Sequence, residues 1–247
     1  MKITIVGSGD AFGSGGRAHT CFRIDAEGRT LVVDFGASAI TAWKGRGFSS
    51  EAIDGVIISH LHGDHFGGLP FLLLDCQFGV RRTRPMVLAG PVGFRARLER
   101  TLEALFPGSM AIDWKFPWNV VEMKTGRSQE IAGFRIDTRE VHHPAGAPAL
   151  ALRLERGRRT FAYSGDTSWT DALVEIADGS DIFVVECFSG KEPIANHIDW
   201  PTLKAQLPRF DSAKIVVTHM SDSALSREAE MTAEGLTVAH DGLVIDL

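Results

Sequence analysis

The stretch VIISHLHGDHFGGLP (residues 56–70) begins as an apolar, β-branched run and then carries three histidines and an aspartate within six residues. In an extended segment, residues i and i+2 point the same way, so His60 and His62 can bind one ion together. A glycine then allows the chain to turn sharply, after which Asp64 and His65 face a second position nearby. Imidazole and carboxylate groups suit divalent ions such as Zn²⁺, Mn²⁺ or Fe²⁺.

Polar residues of the same kind end several other apolar runs. These runs are VVD at Asp34, VIISH at His60, YSGD at Asp166, VVE at Glu186 and VVTH at His219. Strand ends that converge at one edge of a sheet make a natural active site, because the strands hold the backbone while the loops carry the chemistry. One cluster cannot complete two coordination spheres. We therefore expect further ligands from His142 or His143, from Asp166 and from His219.

Length, composition and charge place the chain among ordinary globular proteins. It has 247 residues, 44% hydrophobic and 23% charged, and a net charge of −5, which excludes non-specific binding of nucleic acid through overall charge. No apolar run approaches the roughly 18 residues of a transmembrane helix. Residues 1–13 are typical of a first strand rather than a signal peptide. Three widely spaced cysteines argue against a disulfide framework, so we predict a cytoplasmic protein.

Strand and helix signals follow one another without a linker, a low-complexity tract or a repeat of fixed period. This predicts a single domain over residues 1–247. Strands predominate in the first half and alternate with helices in the second, which favours an α/β (α+β) protein whose sheets are covered by outer helices. The apolar run over 66–78 predicts a buried helix, and the periodicity over 94–106 predicts an amphipathic one.

SHLHGDHFGG (residues 59–68) resembles the HxHxDH signature of the metallo-β-lactamase superfamily. The resemblance covers almost the whole chain through TLVVDFG, YSGDT and VVTHM. It implies a four-layer αββα sandwich with two divalent metal ions, most readily Zn²⁺. The implied ligands are His60, His62 and one of His142 and His143 on the first ion, Asp64, His65 and His219 on the second, and Asp166 as a bridge.

The sequence leaves two assignments open, namely which of two adjacent histidines is a ligand and what Asp34 does. If residues 139–143 form a strand, neighbouring side chains face opposite ways, so only one of the two histidines can be a ligand. We select His143, because similar sequences place the ligand directly before the turn, and keep His142 as the alternative. Asp34 is expected to orient a ligand histidine or the turn, or else only to satisfy backbone N–H groups at its strand end.

Two more segments resemble the phosphodiesterase branch of the superfamily, which includes ribonuclease Z and a phosphoribosyl cyclic phosphodiesterase. Residues 7–25 resemble the ribonuclease Z opening, and VVECFSG and ANHIDWPTL resemble a carboxylate-plus-histidine pair. The resemblance implies catalytic roles for Glu186 and His197 beside Asp64. Two ions about 3.5–4 Å apart would supply a hydroxide nucleophile, and a histidinium held by a carboxylate can protonate the departing alkoxide. The alternative is that His197 only caps the following helix.

We therefore predict a dinuclear metal-dependent phosphodiesterase that acts on a small phosphodiester or nucleotide, cyclic ones included. Ribonuclease Z-like cleavage of RNA 3′ ends is the first alternative. It is disfavoured because His143 and Asp166 are only 23 positions apart (166 − 143), too few for a tRNA-clamping arm. Cys21 is the only cysteine near the N-terminus, so the structural zinc of the cyclic phosphodiesterase should be missing, and its substrate is not carried over.

The remaining alternatives are a lactone or thioester hydrolase, which the implied roles of Glu186 and His197 disfavour, and a non-catalytic metal-binding member of the fold. The intact ligand set argues against the latter. Many members of the superfamily dimerise, so the resemblance also implies a homodimer.

Overall fold

Two seven-stranded sheets lie face to face at the centre of the protein, in a computed structural model that describes residues 1–247. The strands, in chain order, are β1 (Lys2–Gly7), β2 (Cys21–Ala26), β3 (Arg29–Val33), β4 (Gly55–Ile57), β5 (Met86–Gly90), β6 (Trp118–Glu122), β7 (Gln129–Ile131), β8 (Phe134–Val141), β9 (Ala149–Arg156), β10 (Arg159–Tyr163), β11 (Ile182–Glu186), β12 (Ile215–Thr218), β13 (Thr237–Val238) and β14 (Val244–Asp246).

Both sheets are mixed, and they are built alike. The first has the order β14-β1-β2-β3-β4-β5-β6, and the second has the order β13-β12-β11-β10-β9-β8-β7. Antiparallel pairing joins β14 through β3 in one sheet and β7 through β10 in the other. Parallel pairing joins β3 through β6 and β10 through β13. The carboxyl ends of β3 and β4, and those of β10, β11 and β12, therefore lie together, where α/β sheets bind their ligands.

Helices cover the outer faces of the sheets. They are α1 (Ala39–Gly45), α2 (Gly63–Phe66), α3 (Leu69–Leu74), α4 (Phe94–Leu105), α5 (Ala172–Ala177), α6 (Trp200–Gln206), α7 (Asp222–Leu225) and α8 (Glu228–Ala233). None of them combines the length and the apolar character that crossing a membrane requires.

Residues along the central strands alternate between two apolar environments, as the pleat of a strand demands. In β3, Leu31 and Val33 pack between the sheets, whereas Val32 packs under the helices of the first sheet. In β11, Val184 lies between the sheets and Val185 lies under the helices of the second. Burial on both faces explains why these parallel strands appear in the sequence as continuous apolar runs. The layers are helix, sheet, sheet and helix, so the predicted αββα sandwich is confirmed.

The helical layers complete the two outer cores. The first contains Trp43 of α1, Leu72 of α3 and Leu98 of α4, and the second contains Leu173 of α5, Leu203 of α6 and Met231 of α8. Differences from the predicted elements are local. The single helix predicted over 66–78 is divided, because α3 passes into a π-helical turn at Asp75–Gly79. The sequence did not predict α7 or β13, which are four and two residues long.

Candidate active site

The polar residues that follow the parallel strands meet above the junction of the two sheets. The turn after β4 carries His60 and His62 and leads into α2, which carries Asp64 and His65. The second sheet contributes the rest: His143 after β8, Asp166 after β10, Glu186 at the end of β11 and His219 after β12.

Backbone hydrogen bonds from the loop after β3 hold this turn in position. The Phe35 backbone N–H donates to the His65 carbonyl at 2.6 Å, and the Ala37 N–H donates to the Gly63 carbonyl at 3.1 Å. A Cβ atom on Gly36 would lie 2.1 Å from the Asp64 carbonyl oxygen, which leaves no room for any other residue type. The ligand-bearing turn is thus fixed by backbone contacts to a neighbouring strand end.

His60, His62 and His143 form the first group of candidate ligands, with one ring nitrogen from each lying within 4.8 Å of the others. The His143 Nε2 and His62 Nδ1 atoms are 2.9 Å apart. His142 is exposed and belongs to no such group, and its backbone pairs with Ser168 instead. The geometry therefore brings His143, and not His142, to the other histidines.

Asp64, His65, Asp166 and His219 form the second group, and all four are buried. The His219 Nε2 atom lies 3.2 Å from Oδ2 of Asp64 and 3.2 Å from Oδ2 of Asp166. The same Asp166 oxygen lies 3.2 Å from Nε2 of His65 and 3.7 Å from Nε2 of His60. Asp166 thus lies within 4 Å of a ring nitrogen from each group.

The electrostatics of these groups suit cations. Burial would raise the pKa of Asp64, but the imidazoles of His65 and His219 hold it well below its usual range. Burial opposes protonation of His219, but Asp166 and Asp64 raise the pKa of its imidazole to about 9. Burial, and then the nearby His65, lowers the pKa of His60, which keeps this ring neutral with a free lone pair. Carboxylates that stay ionised in a buried site, and that favour positive charge on a neighbouring imidazole, also favour a bound cation.

Several buried polar atoms in the cluster have no hydrogen-bond partner: Nε2 of His60, Nε2 of His65, Oδ1 of Asp166 and Nδ1 of His219. Buried polar atoms are almost always satisfied in native proteins, so a concentration of unsatisfied ones needs an explanation. Imidazole nitrogens and carboxylate oxygens in two adjoining groups fit a pair of divalent ions. The buried His/Asp cluster is therefore consistent with a dinuclear metal site.

Asp34 is buried behind the cluster and connects both groups. Its Oδ2 atom accepts from His65 Nδ1–H at 2.7 Å and from the Ser59 hydroxyl at 2.8 Å, and its Oδ1 atom accepts from the Ser59 backbone N–H at 2.7 Å. The Ser59 hydroxyl in turn accepts from His60 Nδ1–H at 3.1 Å. Each ring therefore keeps Nε2 for the cluster. The sequence offered this role for Asp34 as one of two alternatives, and it gave no role to Ser59, whose only signal was its place directly before His60.

Replacing Asp34 by Asn should lower metal affinity about 10–100-fold, the usual effect of losing a hydrogen-bonding partner of a metal ligand. The amide cannot accept all three of these hydrogen bonds, because it presents an NH₂ group where one oxygen stood. Metal content after equilibration with a competing chelator measures the loss. The exposed Asp211, replaced in the same way, is the control. Equal metal retention in both variants would mean that Asp34 does not orient the histidines.

Glu186 and His197 form a hydrogen-bonded pair beside the cluster. The His197 Nδ1–H donates to Oε1 of Glu186 at 2.9 Å, and Glu186 also accepts from the backbone N–H groups of Thr167 and Ile198. Burial raises the pKa of the Glu186 carboxyl. Burial opposes protonation of His197, but its hydrogen bond to Glu186 raises the pKa of the imidazole overall. The cap of α6 is Asp199, so His197 is free of that structural task.

Asn196 is a further residue that sequence reasoning missed. It adopts a left-handed conformation (φ 69°), and its carbonyl accepts from His143 Nδ1–H at 2.9 Å. Asp34 (φ 55°) and His219 (φ 56°) are left-handed as well. Such strain in residues other than glycine concentrates at functional sites, where the surrounding structure holds it in place.

The cluster opens into a cleft of about 320 Å³. One wall is polar and consists of the candidate ligands His62, Asp64, His143, Asp166 and His219 together with His197. The rest of the lining forms an apolar wall and consists of Ala11, Phe12, Phe188 and Ile194. The sequence analysis did not predict this apolar wall, because it comes from two loops almost 180 residues apart (188 − 11).

Comparison with known proteins gives a family and a set of relatives. The family model "Anti-Pycsar protein Apyc1" matches residues 1–242. A ribonuclease Z of Lachnoclostridium phytofermentans is 27% identical, over 95% of this chain and 91% of that protein. The metallo-β-lactamase fold protein YhfI of Bacillus subtilis superposes with a TM-score of 0.82 at 19% identity, covering 99% of this chain and 98% of that one. A diphosphatase of the PhnP family superposes with a TM-score of 0.77 at 19% identity, covering 100% and 97%.

Proposed function

Because this chain belongs to the anti-Pycsar Apyc1 family, and is thereby a metal-dependent phosphodiesterase of the metallo-β-lactamase fold, we propose that it hydrolyses cyclic nucleotides. Water would add to the cyclic phosphate and one P–O bond would break, giving a linear nucleotide monophosphate. We further propose that the two ions are Zn²⁺, as the histidine-rich donor set favours, and that the protein is a homodimer.

The observation that carries this proposal is the position of the Glu186–His197 pair against the ligand groups. A ring nitrogen of His197 lies within 4.8 Å of donor atoms of His143 and Asp166, and one lies equally near His219. Hydrolysis of a diester leaves an alkoxide that needs a proton, and a histidine beside the reacting phosphate can give it. A metal site with a purely structural role would not require a proton-donating pair beside it.

The roles of the residues follow from their contacts. His60, His62 and His143 would hold one ion, and Asp64, His65 and His219 the other, with Asp166 between them. When bound, the ions would supply positive charge for the phosphoryl oxygens and an acidified water. Glu186 would fix the Nδ1–H of His197, so that Nε2 carries the proton for the departing oxygen. Asp64 would fix the position of the second ion and of His219.

The structure favours a small substrate over a folded RNA. Between the third metal histidine and the bridging aspartate, the chain forms a short loop over 144–148, then β9, a two-residue turn and β10. No arm extends from this hairpin. The cleft, at about 320 Å³, is at the lower end of the ~300–1,000 Å³ typical of small-molecule sites. Its size suits a mononucleotide.

We expect enzyme reconstituted with Zn²⁺ or Mn²⁺ to hydrolyse a 3′,5′-cyclic nucleotide and bis-p-nitrophenyl phosphate, and to leave a precursor tRNA intact. Product release is followed by chromatography, with bound metal measured on the same sample. Cleavage of the tRNA at a rate similar to that of the small diesters would support the ribonuclease instead. A protein that binds two ions but hydrolyses none of these, nor a lactone or thioester, would be a non-catalytic member of the fold.

A further inference from the structure

We propose that Phe12 is a specificity-determining residue that stacks on the base of the nucleotide substrate, with Phe188 and Ile194 completing the wall. This inference rests on the proposed function. It starts from an exposed aromatic ring that belongs to none of the three hydrophobic cores. The side chain of Phe12 is 82% exposed, yet it lines the same cleft as the ligand groups.

Phe12 is the outer member of a row of rings that leads to the reacting centre. Its centroid lies 6.4 Å from that of Phe188, with the rings edge to face. Phe188 stacks on His197, with centroids 4.8 Å apart and planes inclined by 25°. His197 stacks in turn on His219 at 5.5 Å. A ligand whose phosphate lies at the ions would therefore extend its other end along an aromatic surface.

The loop that carries Phe12 is held in place. The buried carboxylate of Asp10 accepts from the Phe12 backbone N–H at 3.1 Å, from the Ser14 N–H at 2.9 Å and from the Ser14 hydroxyl at 2.7 Å. The Gly15 N–H donates to Asp222 at 3.2 Å, which ties the loop to α7. The backbone of Phe12 is thus fixed while its ring remains exposed, so little backbone entropy is lost when a ligand packs against the ring.

The chemistry of the cleft matches a nucleotide. One wall presents imidazoles and carboxylates suited to ions that bind phosphate, and the other is apolar and aromatic. The ligand must therefore be anionic at one end and flat and apolar at the other. Every nucleobase has a π-face, and base–aromatic stacking contributes strongly where proteins bind single-stranded nucleic acid. An aliphatic or purely sugar-like ligand would leave Phe12 without a partner.

The test compares KM for 3′,5′-cyclic AMP with KM for the methyl riboside 3′,5′-cyclic phosphate, which lacks a base, using metal-reconstituted enzyme. Phe12→Ala and Phe12→Leu should raise KM for cyclic AMP about 5- to 100-fold, from the cost of removing a base-stacking ring. Both variants should change KM for the base-free diester less than about twofold, and Phe12→Trp should retain the wild-type KM for cyclic AMP. Phe78→Ala removes another exposed phenylalanine, 63% exposed and outside this cleft, and is the matched control.

The outcomes separate this inference from the proposed function. Equal KM changes for both diesters, or an unchanged KM for cyclic AMP in Phe12→Leu, would overturn the stacking role while the proposed function stands. A wild-type enzyme that hydrolyses only the base-free diester would overturn both. A dimer that dissociates in Phe12→Ala, with a KM that depends on enzyme concentration, would assign the ring to a contact between copies and also overturn the stacking role.

Discussion

Replacing His143 by Ala should lower turnover of the reconstituted enzyme by at least ~100-fold and remove about one of its two metal ions. Loss of a direct metal ligand should cost more than the 10–100-fold effect of losing a residue that only hydrogen-bonds to a ligand. His143 brings Nε2 to the group of His60 and His62, while its Nδ1–H is engaged by the Asn196 carbonyl. No neighbouring side chain in that group can take its place. Turnover is measured at saturating substrate, and metal content is measured after gel filtration.

His142→Ala is the matched control, because it removes the adjacent histidine, whose side chain is exposed and outside both ligand groups. We expect it to retain wild-type turnover and metal content. This pair of variants decides directly between the two histidines that the sequence left open. If His142→Ala were the inactive variant, the assignment of the first metal group given above would be wrong.

Replacing His197 by Ala should lower turnover about 10²–10⁴-fold, the usual contribution of a positioned general acid, while both ions remain bound. The ring is hydrogen-bonded to the buried Glu186 and stacks between Phe188 and His219. The substitution removes the group that donates a proton to the departing oxygen. It removes no member of the two ligand groups defined above. We therefore expect turnover to fall in this variant while its metal content stays at the wild-type level.

A leaving group that needs no proton sharpens this experiment. The His197→Ala enzyme should hydrolyse bis-p-nitrophenyl phosphate with a much smaller defect than a cyclic nucleotide, because p-nitrophenolate departs without protonation. His240→Ala, which removes an exposed histidine that does not line the cleft, is the control for general effects of such substitutions. Full turnover of the cyclic nucleotide by His197→Ala would remove the acid role from the mechanism, whereas parallel loss of metal would make His197 a ligand.

The central strands could be predicted from the sequence because they are buried on both faces. Parallel strands such as β4 and β11 are buried on both faces, so each appears as an apolar run with a polar residue directly after it or at its end. These polar ends identified the residues that now meet at the junction of the sheets. The divided helix around Asp75 was less predictable, because a π-helical turn depends on local backbone packing that apolar periodicity does not record.

The sequence by itself determined the ligand types and sheets covered by outer helices, because periodicity and the spacing of histidines and aspartates within a short segment are local properties of the chain. The αββα sandwich followed from the resemblance of these motifs to the metallo-β-lactamase superfamily. Only the tertiary structure brought His143 rather than His142 to the cluster, linked Asp34 to His65 directly and to His60 through Ser59, and placed Phe12 beside Phe188. The reason is physical. Which face of a strand end turns inward, and which distant loops share a cleft, depends on how the two sheets pack, and no short segment encodes that packing alone.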